Sequence, residues 1–371
     1  MTGQARFAYV GSYTRPEQGG RGSDGLGISV FAVAPETGAL TLVQTVTADN
    51  PSWVELGPTQ RFLYAACETG DGNGESSGSV AAFAVDLETG RLAPINVQSA
   101  RGVWPAHIGI DPSGTFAVVA DYEGPFVVLP IREDGGLEPV CTIVQNEGTG
   151  PDAERQEKSH PHAATFDPAG RYVVTADLGI DAVQVWRLTE DGALVEVSRA
   201  TLAPGAGPRH VAFLPNGRVL YVLNEMHATV TVFPYAAEQG QLGAEIQTIS
   251  MLPDDFADLR GAAEIVIHPS GRFLYASNRG SADAVTSMAD SIAAFSIDQE
   301  TGRLALVGFT HEAILEPRGV ALDPTGTWLY VANQRGDDIV QFAVDQETGA
   351  LTPTGRVVET PTPVDIAFLR G

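Results

Sequence analysis

A histidine, two arginines and a glutamate, far apart in the chain, carry the most chemistry in this sequence: His162, Arg209, Glu225 and Arg279. An imidazole or a carboxylate whose pKa is moved toward neutrality can take a proton from water. One guanidinium can stabilise an oxyanion, and a second can grip a phosphate or carboxylate through its planar fork. Arg155 is a further candidate for that grip, and Tyr13, Glu68, Tyr122, His160, His210 and Arg318 are candidates for binding substrate in the same cleft. Spacings of tens of residues give these groups no local reason to meet. They act together only if the fold gathers them.

The element that could do so is a repeat. One strand ending is written seven times: Phe7–Tyr13, Phe62–Glu68, Phe116–Tyr122, Tyr172–Leu178, Val219–Glu225, Phe273–Arg279 and Trp328–Gln334. Six copies follow a shorter strand and a tight turn, as in Ile108-Gly-Ile-Asp-Pro-Ser-Gly114, where proline presets φ and glycine tolerates the left-handed region. Each copy is followed by a β-rich run and a second turn, often Glu-Thr-Gly as at 36–38, 300–302 and 347–349. Four short strands in roughly 45–55 residues is the size of a propeller blade. The first copy lacks its preceding strand, and the chain ends with an orphan one, Pro363–Phe368. Pairing the two closes a seventh blade and removes an open sheet edge. The expectation is an all-β chain, residues 1–371 forming one seven-bladed β-propeller closed by its terminal strands; two β-sandwiches would not explain seven in-phase copies.

Within a blade the first and second strands are antiparallel, so the start of one and the end of the other meet at the same rim. The starts read Pro51-Ser-Trp53, Pro105-Ala-His107, Pro161-His-Ala163, Pro208-Arg-His210, Ala262-Ala-Glu264, Pro317-Arg-Gly319 and Pro363-Val-Asp365. The ends are Tyr13, Glu68, Tyr122, Leu178, Glu225, Arg279 and Gln334. This rim also carries the long loops 14–27, 69–78, 146–160 and 280–290, while the Glu-Thr-Gly turns on the other rim read as plain hairpins. His107 and His210 read equally well as channel-lining residues, and Arg209, Arg279 and Arg318 as partners of Glu225, Glu264 or Asp365. A polar residue recurs near the end of the second strand (Ser12, Asp121, Asp177, Asn224, Asn278, Asn333) and reads as a staple between blades. The set His162, Arg209, Glu225 and Arg279 breaks the pseudo-symmetry, and function on a ring is expected where symmetry breaks.

Composition narrows the partners. The chain has 22 basic and 46 acidic residues, a formal charge of −24, with Lys158 its single lysine. That balance argues against nucleic acid and anionic membranes. Two cysteines, Cys67 and Cys141, exclude a disulfide framework and a thiolate metal site. No apolar run approaches membrane-spanning length, and residues 1–6 have no leader-like pattern, so a cytoplasmic protein is expected. No cofactor and no metal are expected.

The motifs Tyr9-Val-Gly-Ser-Tyr-Thr14, Asn50-Pro-Ser-Trp53, Arg155-Gln156, His160-Pro-His162, Ala176-Asp-Leu-Gly179, Gly205-Ala-Gly-Pro-Arg-His210, Tyr221-Val-Leu-Asn-Glu225 and Tyr275-Ala-Ser-Asn-Arg-Gly280 resemble the lactonase family of seven-bladed propellers. That family includes cycloisomerase-type 6-phosphogluconolactonases and the fungal carboxymuconate lactonising enzyme. The resemblance implies an active site at His162, Arg209, Glu225 and Arg279, and a carboxylic-ester hydrolase opening 6-phosphoglucono-δ-lactone in the pentose phosphate pathway. It leaves open a muconate-type lactonising enzyme or another sugar lactonase acting on an anionic or sugar lactone. A propeller scaffold docking a protein partner is the non-enzymatic alternative; a metal-dependent lactonase of the six-bladed kind is a further variant. Asp121-Tyr122 stands where the family pattern suggests Asn-Tyr.

Overall fold

A computed structural model describes residues 3–15, 24–70, 77–253, 256, 261–280 and 290–371. Seven antiparallel sheets follow one another around a central channel, each of four strands except one whose outermost strand is broken in two. The innermost strands are Pro51–Leu56, Pro105–Ile110, Pro161–Phe166, Pro208–Phe213, Ala262–Ile267, Pro317–Leu322 and Pro363–Arg370. The last of these pairs with Ala5–Ser12, so the termini close the ring as the orphan strand predicted.

Burial explains the sequence pattern of each blade. Inner strands are covered on both faces and read as nearly continuous apolar runs, whereas outer strands such as Leu92–Ser99 alternate with solvent. Among the described residues the apolar core is divided into seven clusters, each filled by two adjacent blades. One joins Tyr221, Leu223 and Val232 to Leu274, Ala276 and Phe295; another joins Ala8, Val10 and Phe31 to Tyr330 and Ile339 across the closure. The repeated tyrosine of the second strand fastens these interfaces. Tyr9, Tyr221, Tyr275 and Tyr330 donate their hydroxyls to the carbonyls of Gly90, Gly302, Gly349 and Gly38 in a neighbouring hairpin, at 3.0, 2.9, 2.9 and 2.6 Å. The Glu-Thr-Gly turns are therefore interlocks as well as hairpins. Their glycines sit at φ between +65° and +76°, where a Cβ would be strained.

The start of the innermost strand has a geometry that its proline did not announce. In all seven blades the register slips between the first residue of that strand and the pairs that follow. One extra residue is accommodated there, and a bulge of this kind re-aims a side chain. His162, Arg209 and Arg318 occupy that extra position. In five blades the preceding residue (Asn50, Trp104, Gly207, Glu316 or Thr362) has a left-handed φ. Turn and bulge together swing the chain into the mouth.

Candidate active site

The charged residues of the rim fall into two groups on one mouth of the channel. The first centres on Glu225. Its carboxylate is reached by Arg155 Nη2 at 2.7 Å, Arg209 Nε at 2.9 Å and Arg279 Nη2 at 3.3 Å. Burial opposes ionisation of this carboxyl, but Arg279, Arg155 and Arg209 outweigh it and hold its pKa down at about 2. Arg209 is itself pushed down to about 9, by burial first and then by Arg279 and Arg318, and stays charged at neutral pH. Arg155, the most exposed of the three, also donates to the Tyr122 hydroxyl at 3.3 Å.

The second group is Tyr13, Glu68 and Arg318. The Tyr13 hydroxyl donates to Glu68 Oε2 at 2.6 Å, Arg318 Nη2 lies 3.4 Å from the same oxygen, and the guanidinium sits 5.0 Å above the Tyr13 ring. Arg318 thus pairs with Glu68, outside the set of partners foreseen for it.

His162 is buried, with its ring edge-on to Tyr122 at 5.7 Å and to His210 at 5.2 Å. Its Nδ1 has no hydrogen-bond partner among the described residues. Burial first, then Arg209, His210 and Arg318, push its pKa well below the usual 6.5. The imidazole is therefore neutral.

Two predicted contact residues lie behind the mouth. His160 is buried against Tyr122, ring on ring at 4.6 Å, and its nitrogens face the Tyr122 carbonyl at 3.0 Å and Glu157 at 3.1 Å. It supports the ring that Arg155 touches. His210 lies one layer down, between Arg209 Nη1 at 3.1 Å from its Nε2 and Glu264 at 3.0 Å from its Nδ1. Of the long loops, only 146–160 is fully described; 16–23, 71–76 and 281–289 lie outside the described residues. Glu123, Glu157 and His160 have metal-ligand spacing, and Lys158 Nζ lies 2.5 Å from Glu123. This acidic group sits beside the cleft.

The polar staples prove to tie loops as much as blades. Asp177 accepts from Asn146 Nδ2, Ser159 Oγ and the His160 amide at 2.8, 2.6 and 2.8 Å, pinning both ends of loop 146–160. Asp181, which sequence reasoning missed, accepts from the Gly205 and Gly207 amides at 2.7 and 2.8 Å and from Gln156 at 2.8 Å. It joins the loop bearing Arg155 to the turn that delivers Arg209. The Gly205-Ala-Gly207 turn was the available signal: two close glycine amides ask for an acceptor.

The family model for seven-bladed β-propeller lactonases matches residues 7–368. The 6-phosphogluconolactonase of Bacillus subtilis is 37% identical over 365 residues, covering 98% of this chain and 98% of its own. That of Formosa agariphila is 34% identical over 334 residues, 88% of this chain and 89% of its own. The solved structure of a periplasmic gluconolactonase from Pseudomonas aeruginosa matches with a TM-score of 0.87 at 29% identity, covering 98% of each chain. Sequence and shape agree over essentially the whole ring, and the chain belongs to the lactonase family of seven-bladed β-propellers.

Proposed function

We propose that this protein is a carboxylic-ester hydrolase that opens 6-phosphoglucono-δ-lactone to 6-phosphogluconate at the mouth bearing Glu225. The observation that carries the reading is the charge count around that residue. Three guanidinium groups surround one carboxylate, which leaves two positive charges uncompensated. A phosphate monoester is close to a dianion at neutral pH, and planar forks suit its oxygens. The matching names of full-length relatives support the same substrate.

Glu225 is held ionised by its three partners and is a poor base; its work is to keep the arginines converged. His162 is neutral and sits at the bulge that faces the mouth, so it is the base. Water attacks the lactone carbonyl while His162 takes its proton, and the negative charge developing on the carbonyl oxygen is stabilised by Arg209. Collapse breaks the bond to the ring oxygen, which leaves as a hydroxyl with the proton from His162. The new carboxylic acid ionises and releases one proton to solvent. Arg155 and Arg279 hold the phosphate. A phosphorylated substrate does not cross a membrane unaided, which agrees with a cytoplasmic site of action.

The test is hydrolysis of freshly generated 6-phosphoglucono-δ-lactone against glucono-δ-lactone, with spontaneous opening subtracted. The phosphorylated lactone is the better substrate, Arg155→Ala raises its KM alone, and Arg209→Ala lowers kcat about 100-fold or more. Equal rates on both lactones would move the assignment to a sugar lactonase. Full activity in Arg209→Ala would remove Arg209 from the chemistry.

A further inference from the structure

Below the mouth, the next residues of the innermost strands form a closed layer. Trp53 stacks on His107 at 4.1 Å, and His210 meets both rings edge-on at 5.1 and 5.4 Å. Glu264 and Asp365 complete the layer, and the Val54 amide donates to Asp365 at 2.7 Å. On the other side the channel widens into a cavity of about 940 Å³ lined by Trp53, His107, His210, Glu264 and Asp365. The layer is thus the floor of the catalytic mouth and one end of the channel.

We propose that Glu264 is a positioning residue for Arg209, acting through His210 and touching no substrate. The inference rests on the placement of Arg209 at the reacting carbonyl.

Contacts on both sides of the His210 ring hold the arrangement. Glu264 Oε1 accepts from the Ile265 amide at 2.9 Å and lies 3.0 Å from His210 Nδ1, a contact that sets the orientation of the imidazole. Arg209 Nη1 lies 3.1 Å from Nε2 and 3.4 Å from Nδ1, so it sits against the imidazole ring rather than on the lone pair of one nitrogen. The same Nη1 donates to the Ala263 carbonyl. Arg209 Nε faces Glu225 at 2.9 Å as an ion pair. The protein thus holds the guanidinium through Nη1 and pairs it through Nε, and Nη2 makes no hydrogen bond among the described residues. Glu264 and His210 decide which edge of Arg209 meets the ligand.

Neutrality strengthens the case. Burial pushes Glu264 up to about 8 and His210 well below 6.5, so their contact is a hydrogen bond between neutral groups. What Glu264 supplies is a hydrogen-bond partner for Nδ1, and glutamine supplies one too. Without that partner the imidazole is free to turn, and the guanidinium that rests on it loses its seat.

Steady-state hydrolysis of the phosphorylated lactone tests this in Glu264→Leu, Glu264→Gln, His210→Phe, Arg209→Ala and the double variant Arg209→Ala/Glu264→Leu. Glu264→Leu lowers kcat about 10- to 100-fold with KM within about threefold, the scale of a misplaced catalytic group. Glu264→Gln stays within about threefold of the parent enzyme, because a hydrogen-bond partner for His210 Nδ1 is restored. His210→Phe, which keeps a ring beside Trp53 and His107, loses as much as Glu264→Leu and serves if that variant fails to fold. The double variant is no slower than Arg209→Ala alone. Three results would each overturn the proposal: full activity in Glu264→Leu or His210→Phe, Glu264→Gln as slow as the leucine variant, or an undiminished leucine effect without Arg209. Arg209→Ala at the parent rate would overturn the functional reading and this inference with it. Arg209→Ala slow and Glu264→Leu unaffected would overturn this inference alone.

Discussion

His162 and Glu225 share one cleft and are driven to opposite roles by what surrounds them. Three arginines keep Glu225 ionised far into acid, while burial and neighbouring positive charge keep His162 deprotonated. The sign for activity follows. As the proposed base, His162 works only while neutral, and its pKa is moved down, so activity should be retained through neutrality and lost only in acid below 6.5. The profile of kcat/KM against pH, corrected for spontaneous hydrolysis, should be flat from about pH 6.5 to 8. A titration centred at or above 6.5 would contradict the assignment of His162. Asp121 presents the opposite case. It is fully buried, neither carboxylate oxygen has a partner among the described residues, and burial raises its pKa well above 3.8. Its counterparts Asn278 and Asn333 donate to the carbonyls of Met251 and Ala313 at 2.8 and 2.9 Å, which an acid can do only while protonated. The folded state holds this proton and the unfolded chain releases it, so stability is lost as pH rises above the unfolded value. Asp121→Asn should add about 1–3 kcal/mol to the unfolding free energy at pH 7. Denaturant titrations at several pH values should show that gain shrinking toward pH 4.

At the scale of elements, the site is made by one device used seven times and by one loop used once. The left-handed residue and the bulge at the start of the innermost strand turn a two-residue alternation into a side chain aimed at the mouth. The sequence showed Pro-His and Pro-Arg at these positions and left the aim of each side chain open. Loop 146–160 brings Arg155 across to Glu225, a partner 70 residues away. Asp181 holds that loop and the Gly205–Gly207 turn in one geometry through hydrogen bonds to a carboxylate. Asp181→Ala should cost about 2–3 kcal/mol of stability. It should also raise KM for the phosphorylated lactone about tenfold, through loss of convergence of Arg155 and Arg209. An unchanged KM in a folded Asp181→Ala protein would separate the loop from binding.

At the scale of the molecule, charge and closure explain how an acidic protein can receive an anion. The formal charge is −24, yet the mouth around Glu225 carries a positive surplus. Much of the exposed acid lies on the hairpins of the other rim, among them Asp86, Glu88, Asp298, Glu300, Asp345 and Glu347. Separating the two across the ring lets the global charge maintain solubility while the cleft focuses a field of opposite sign. Closure holds this arrangement. The strand Pro363–Arg370 supplies Asp365 to the floor and pairs with Ala5–Ser12, so both ends of the chain complete the blade beside the Tyr13 group.

The repeat, the number of blades, their closure and the rim holding the charged residues were all legible in the sequence, because strand periodicity and turn chemistry are local and were written seven times. The family motifs named His162, Arg209, Glu225 and Arg279 for the same reason: each lies in a short stretch with a fixed place in its blade. The division of labour was not legible. Which carboxylate is ionised, which imidazole is neutral and which arginine meets which acid depend on burial and on distances of about 3 Å between residues as far apart as Arg155 and Glu225 or Glu68 and Arg318. Those quantities exist only once seven blades have closed around one axis, and tertiary structure alone decided them.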